Sequence, residues 1–172
     1  MKLFFTENYA IMKNLILIRH AKSSWEMPLN DIDRPIIQRG ISDAHLVATN
    51  LLKSIPSTFV IHCSTAKRAQ ETAFIFSNTI LYPSESIIFR EELYTFDENR
   101  LEKNIKSISN EHENVILFGH NDAITNFVNK FGNIYIDNVP TAGLVWIQFE
   151  AENWDKIKNG KTIKTIFPKN LK

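Results

Sequence analysis

Leu15-Ile16-Leu17-Ile18 is an unbroken run of large aliphatic side chains, closed by Arg19 and His20. In an extended strand, successive side chains point to opposite faces, so such a run is buried only if both faces are covered. A strand of this kind belongs inside a sheet with a layer on each side. The pattern recurs at Phe59-Val60-Ile61, Ile87-Ile88-Phe89 and Val115-Ile116-Leu117-Phe118. Between these runs the apolar residues follow helical spacing instead. Ile41, Ala44, Ala48, Leu51, Leu52 and Ile55 mark one helix, closed by Pro56, and Ala66, Ala69, Ala73 and Phe76 mark a second. Leu101, Ile105 and Ile108 mark a third, and Ile124, Phe127, Val128 and Phe131, ended by Gly132, a fourth. Leu144–Phe149 and Thr162–Phe167 complete the chain as strands, the last at an edge. Alternation of this kind predicts an α/β fold: a single three-layer domain, its sheet mainly parallel, with helices on both faces.

A chain of 172 residues suits one domain. The expected division is an N-terminal extension over 1–13, frayed over its first part, and a domain over 14–172. Glu7 and Asn8 interrupt the apolar start, which argues against a signal peptide. A net charge of +1 gives no general attraction to nucleic acid or lipid, and no apolar run approaches a membrane span. The one cysteine, Cys63, excludes an internal disulfide and a cysteine metal cage, which fits a reducing, cytoplasmic setting. No heptad or exposed apolar helix is apparent, so a monomer is expected. No Gly-rich fingerprint follows the first strand, and no cofactor is expected.

Ligands of parallel α/β sheets bind outside the carboxyl ends of the strands. Arg19-His20 follows the first run, His62-Cys63-Ser64-Thr65 with Arg68 follows the second, and Gly119-His120-Asn121-Asp122 follows the fourth. Two arginines and two histidines thus converge on one sheet edge. Guanidinium forks match phosphate oxygens, and a neutral imidazole is a competent nucleophile towards phosphorus. Neighbouring guanidinium charge favours that neutral form. The helix opening after His120 directs free amides at an anion. The set can stabilise a transferring phosphoryl group without a metal. Any one of these residues alone is as readily structural, and His62 is equally well a plain strand residue. His45 and His112 are expected to face solvent. A competing reading takes His62-Cys63 and Arg68 as a cysteine phosphatase loop. Only four residues separate Cys63 from Arg68, however, and none is the glycine that wraps such a loop round phosphate.

LILIRHAKSSW, residues 15–25, resembles the Arg-His signature of the histidine phosphatase superfamily in the form used by its SixA-like phosphohistidine phosphatase branch. In the same order, DIDRPIIQRGISDA (31–44) resembles that branch's Asp-x-x-Arg-Pro…Arg-Gly…Asp-Ala segment. CSTAKRAQETA (63–73) resembles its Ser-Ser-Pro-Ala-x-Arg-Ala-x-x-Thr-Ala segment, with Thr65 in place of proline. Glu92-Leu93-Tyr94, FGHND (118–122), PTAGLV (140–145) and FPKNLK (167–172) also fit. The resemblance implies a phosphoglycerate mutase-like fold, with His20 as the nucleophile that becomes phosphorylated. It implies Arg19, Arg68 and His120 as phosphate-binding and catalytic partners, the backbone amide of Asn121 as a further donor, and Glu92 as the possible general acid. The implied substrate is a phosphohistidine-containing protein, either a phosphotransfer domain or a phosphocarrier. A small phosphorylated molecule, a phosphomutase reaction and a non-catalytic phosphoprotein-binding module stand as alternatives. Lys22, Arg34 and Arg39 either meet a partner or brace the long loop over 21–38.

Overall fold

A computed structural model describes residues 10–172; residues 1–9, most of the expected extension, lie outside the described residues. The strands are β1 (Met12–Arg19), β2 (Val60–Ser64), β3 (Ile88–Arg90), β4 (Asn114–Gly119), β5 (Leu144–Glu150) and β6 (Lys161–Ile166). The helices are α1 (Gln38–Leu52), α2 (Lys67–Thr79), α3 (Glu98–Lys106) and α4 (Ala123–Phe131). They form one six-stranded sheet in the order β3-β2-β4-β1-β5-β6. The first four in that order run parallel, and β5 is antiparallel to both β1 and β6.

Strict alternation builds the two cores. Leu15, Leu17, Val115, Leu117, Val145 and Ile147 point to the side where α3 and α4 supply Leu101, Ile105, Phe127 and Val128. Ile16, Ile18, Ile116, Phe118, Leu144 and Trp146 point to the other side, where α1 and α2 supply Ala44, Val47, Ala69 and Phe76. The four residues Leu15–Ile18 are each 0% exposed, and each contributes about 1.5–3 kcal/mol relative to exposure. Among the described residues no helix is long and apolar enough to cross a membrane.

The structure moves several expected boundaries. β1 begins at Met12, whose partner is Glu150, so Met12 and Lys13 belong to the sheet. The ammonium of buried Lys13 donates to the carbonyls of Asn110 (2.7 Å) and His112 (3.2 Å). β2 starts one residue later than expected and runs through Ser64, because Cys63 continues the buried alternation. His62 is therefore an internal strand residue, not part of a strand-end loop. It is 7% exposed, and neither ring nitrogen has a hydrogen-bond partner among the described residues. Burial foremost, then the charges of Arg90 and His112, lowers its pKa to about 4.

Gly40 sets the entry to the long loop. A Cβ there would lie 2.4 Å from the carbonyl oxygen and 2.9 Å from the amide nitrogen of Lys22, both rigid backbone atoms. Helix α1 thus presses directly on the segment that follows His20.

Two stability measurements follow. Gly40→Ala forces the Lys22 backbone outward and is expected to lower the unfolding free energy by about 1–3 kcal/mol in denaturant melts. His62 binds its proton near pH 6.5 when unfolded but only near 4 when folded, so its contribution is complete above about 6.5 and is lost as pH falls towards 4. His62→Leu should change stability at pH 7 by less than about 1.5 kcal/mol and flatten that acid decline.

Candidate active site

β1 stops at Arg19 and delivers His20, β4 stops at Gly119 and delivers His120, and β2 stops at Ser64 just before α2. Because β4 lies between β1 and β2, these three ends are neighbours, and the amide of His20 donates to the carbonyl of Gly119 at 3.0 Å. The imidazole centroids of His20 and His120 are 5.2 Å apart. Arg68, the second residue of α2, reaches over both. Above them opens a cleft of about 460 Å³ whose lining includes Arg19, His20, Asp31, Arg34, Arg68 and Tyr94, together with Lys22, Trp25, Phe96 and Asn121.

His20 is held in one tautomer by two independent contacts. Its Nδ1 is 2.8 Å from the carbonyl of Ala21, which only accepts, so Nδ1 carries the proton. Its Nε2 accepts from Arg68 Nε at 3.2 Å and therefore bears the lone pair. The turn is fixed in place, since Ala21 N donates to Thr72 Oγ1 at 2.9 Å and that hydroxyl donates to the carbonyl of Arg68. Burial foremost, then the charges of Arg68, Arg19 and Arg34, pulls the pKa of His20 down to about 3 against the opposing bond to Ala21. The side chain is neutral at physiological pH.

His120 lies beneath, 1% exposed, with Nε2 2.7 Å from Ser64 Oγ and Nδ1 3.4 Å from Arg68 Nη2. Burial, with the neighbouring positive groups, brings its pKa to about 2. Arg19 Nη1 donates to the carbonyl of Val139 at 2.8 Å, while its buried Nε has no partner among the described residues. Asn121 lines the cleft, its side-chain amide donating to Asn138 at 2.8 Å and its Oδ1 accepting from Thr125.

Glu92 is not brought into the cleft: its carboxylate is 64% exposed and lies 3.9 Å from Arg90 Nε. The 3-10 turn Glu91–Leu93 buries Leu93, which sends Glu92 outward and turns Tyr94 inward. Cys63 is fully buried in the α1/α2 layer, and burial pushes its thiol pKa up, so the cysteine phosphatase reading has no accessible nucleophile. Arg34 is buried, donates to Ser23 Oγ at 2.8 Å and stacks 3.4 Å over Trp25, whereas Arg39 stays on the surface 3.8 Å from Asp43.

Sequence reasoning gave no role to Asp31, Tyr94 or Ser64. Asp31 carries the one carboxylate among the described residues lining the cleft, set against three guanidinium groups. It accepts from Tyr94 Oη at 2.5 Å, Arg68 Nη2 at 2.9 Å and Arg34 Nε at 3.0 Å. Partial burial works to raise its pKa, but the bonds from Tyr94, Arg68 and Arg34 outweigh it and hold it at about 2. The motif Asp-x-x-Arg-Pro contained the signal, since Asp31 and Arg34 are three residues apart and pair directly. Among the described residues no group of three or more His, Cys, Asp or Glu is arranged to hold a metal ion.

Residues 15–97 match the sequence signature of the histidine phosphatase superfamily, branch 1. An uncharacterised protein of Mycobacterium leprae is 33% identical over 112 residues, which is 63% of this chain and 66%, just under two thirds, of that relative. The structure of the protein histidine phosphatase SixA complexed with tungstate superposes with a TM-score of 0.79 at 18% identity, covering 92% of this chain and 99% of that one. Phosphoglycerate mutase from Bacillus anthracis superposes at 0.63 with 16% identity, covering 87% and 97%. At those identities the two superpositions speak for the fold, which is phosphoglycerate mutase-like. The chain is thus similar to the histidine phosphatase superfamily over residues 15–97, a stretch that holds Arg19, His20 and Arg68, and its fold is that of the SixA-like members.

Proposed function

We propose that this protein is a phosphatase that takes a phosphoryl group onto Nε2 of His20, with phosphohistidine of another protein as substrate. The observation that carries this reading is the tautomer of His20, whose Nδ1–H is tied to Ala21 and whose Nε2 lone pair faces the Arg68 fork. In the first step the lone pair attacks phosphorus as the bond to the leaving nitrogen breaks. The substrate imidazole, protonated on its other ring nitrogen, departs neutral. Arg68 and the unpartnered Nε of Arg19 receive the phosphoryl oxygens. With the Ser64 hydroxyl donating to His120 Nε2, the single ring proton of His120 sits on Nδ1 and is donated to the same group. In the second step water attacks phosphorus and the electron pair of the P–N bond returns to Nε2. Hydrogen phosphate leaves, and one proton goes to solvent.

The preference for P–N over P–O bonds rests on the proton supply. An alkoxide leaving group needs an acid, yet Asp31 is held ionised and both histidines are held neutral. A phosphohistidine carries its own proton. The fixed guanidinium groups supply the charge that a metal would otherwise provide.

Acid-labile labelling tests this directly. Wild-type protein mixed with a labelled phosphohistidine phosphotransfer domain and quenched is expected to carry label that acid removes. His20→Ala should carry none and lose about 10³-fold or more in turnover, while Cys63→Ser retains both. Chelator should leave the rate unchanged. A label that persists in His20→Ala, or one lost in Cys63→Ser alone, overturns the assignment. Because His20 is protonated only as pH falls towards 3, phosphoenzyme formation from an aryl phosphate between pH 5 and 7 should follow only the substrate's own ionisation at about pH 6. With a phosphohistidine substrate it should rise as pH falls through about 6.5, where the leaving imidazole gains its proton. A panel in which phosphate esters outrun the phosphohistidine protein would point instead to a small-molecule esterase.

A further inference from the structure

Building on the reading of His20 as phosphoryl acceptor, the geometry points to Asp31 as the positioning residue of Arg68. We propose that it holds one end of the guanidinium so that the other edge faces the phosphoryl site. Arg68 Nη1 donates to the backbone carbonyl of Asp31 at 2.5 Å, and Nη2 donates to its carboxylate at 2.9 Å. Both terminal nitrogens are therefore gripped by one residue. What remains is the Nε–Nη2 edge, and it points at His20 Nε2 (3.2 Å) and His120 Nδ1 (3.4 Å). A fork offered edge-on between those two nitrogens is oriented for a tetrahedral group bonded to His20.

Asp31 is itself held by two further side chains. Arg34 reaches Oδ1 from a buried position through Nε at 3.0 Å and Nη2 at 2.9 Å, and Tyr94 donates to Oδ2 at 2.5 Å. Arg34 is anchored in turn to Ser23 Oγ and the carbonyl of Ser24. The long loop over 21–38 thus acts on Arg68 through one residue, by both its carbonyl and its carboxylate, and Tyr94 brings in the segment after β3.

Two other roles for Asp31 give opposite results. As a proton donor it would matter most for poor leaving groups. As a resident anion competing with phosphate, its removal would tighten oxyanion binding. A positioning residue does neither, because misalignment of the fork slows every transfer alike and offsets the gain in positive charge.

The test compares wild type, Asp31→Asn and Tyr94→Phe with p-nitrophenyl phosphate, phenyl phosphate and tungstate. Asp31→Asn is expected to lower kcat about tenfold or more with KM changed less than about threefold. The factor should be equal for both esters, and tungstate should bind no more tightly than to wild type. Tyr94→Phe should show the same split with a smaller loss, and it decides the matter if Asp31→Asn fails to fold. A loss concentrated on phenyl phosphate, or tighter tungstate binding with kcat retained, overturns the proposal. If wild type forms no acid-labile phosphoenzyme, the phosphatase reading fails separately. Tungstate then decides for Asp31 alone, with tighter binding to the variant counting against positioning and equal or weaker binding supporting it.

Discussion

A guanidinium that is 1% exposed at the edge of a sheet needs an acceptor for nearly every N–H, since an uncompensated buried charge costs several kcal/mol. Arg68 meets most of that demand with Asp31 and His20, and its remaining edge lies beside His120. The same bonds organise the site. They set Nε2 of His20 as an acceptor, draw the long loop over the cleft through Asp31, and align the fork with both imidazoles. Structural necessity and chemical readiness coincide at this one side chain.

Charge around Arg68 is arranged so that proton positions do not drift. Burial and neighbouring cations keep both histidines neutral, and Tyr94, Arg68 and Arg34 together keep Asp31 ionised. The cleft therefore combines a fixed nucleophile with fixed positive charge and holds no labile proton of its own. That combination suits a substrate whose leaving group departs already protonated.

His20 and His120 are held in place because β1 and β4, which deliver them, are buried on both faces. Placing β4 between β1 and β2 makes His20 and His120 neighbours, although they are far apart in the chain. The turn after β4 and the segment 138–143 complete the enclosure. Val139 and Asn138 accept from Arg19, and the amide of Ala142 donates to the carbonyls of Arg19 and His20. Gly40 lets α1 close on Lys22, immediately after the carbonyl that sets the His20 tautomer.

Much of this was legible before any coordinates. Unbroken aliphatic runs require a two-sided sheet, and residues at or just beyond the ends of such strands emerge at one edge, which is where Arg19, His20, Arg68 and His120 meet. The sequence also separated Cys63 from a phosphate loop by spacing, and burial gave the physical reason. What local pattern could not decide was which way a short turn faces. Glu92 lies in the 3-10 turn Glu91–Leu93 and Tyr94 directly follows it, and only the burial of Leu93 between them determined that the tyrosine, not the glutamate, enters the cleft. The part played by Asp31 was hidden for a related reason. Its partners Arg68 and Tyr94 come from distant segments, and a carboxylate's role depends on who donates to it, which is a property of the assembled fold.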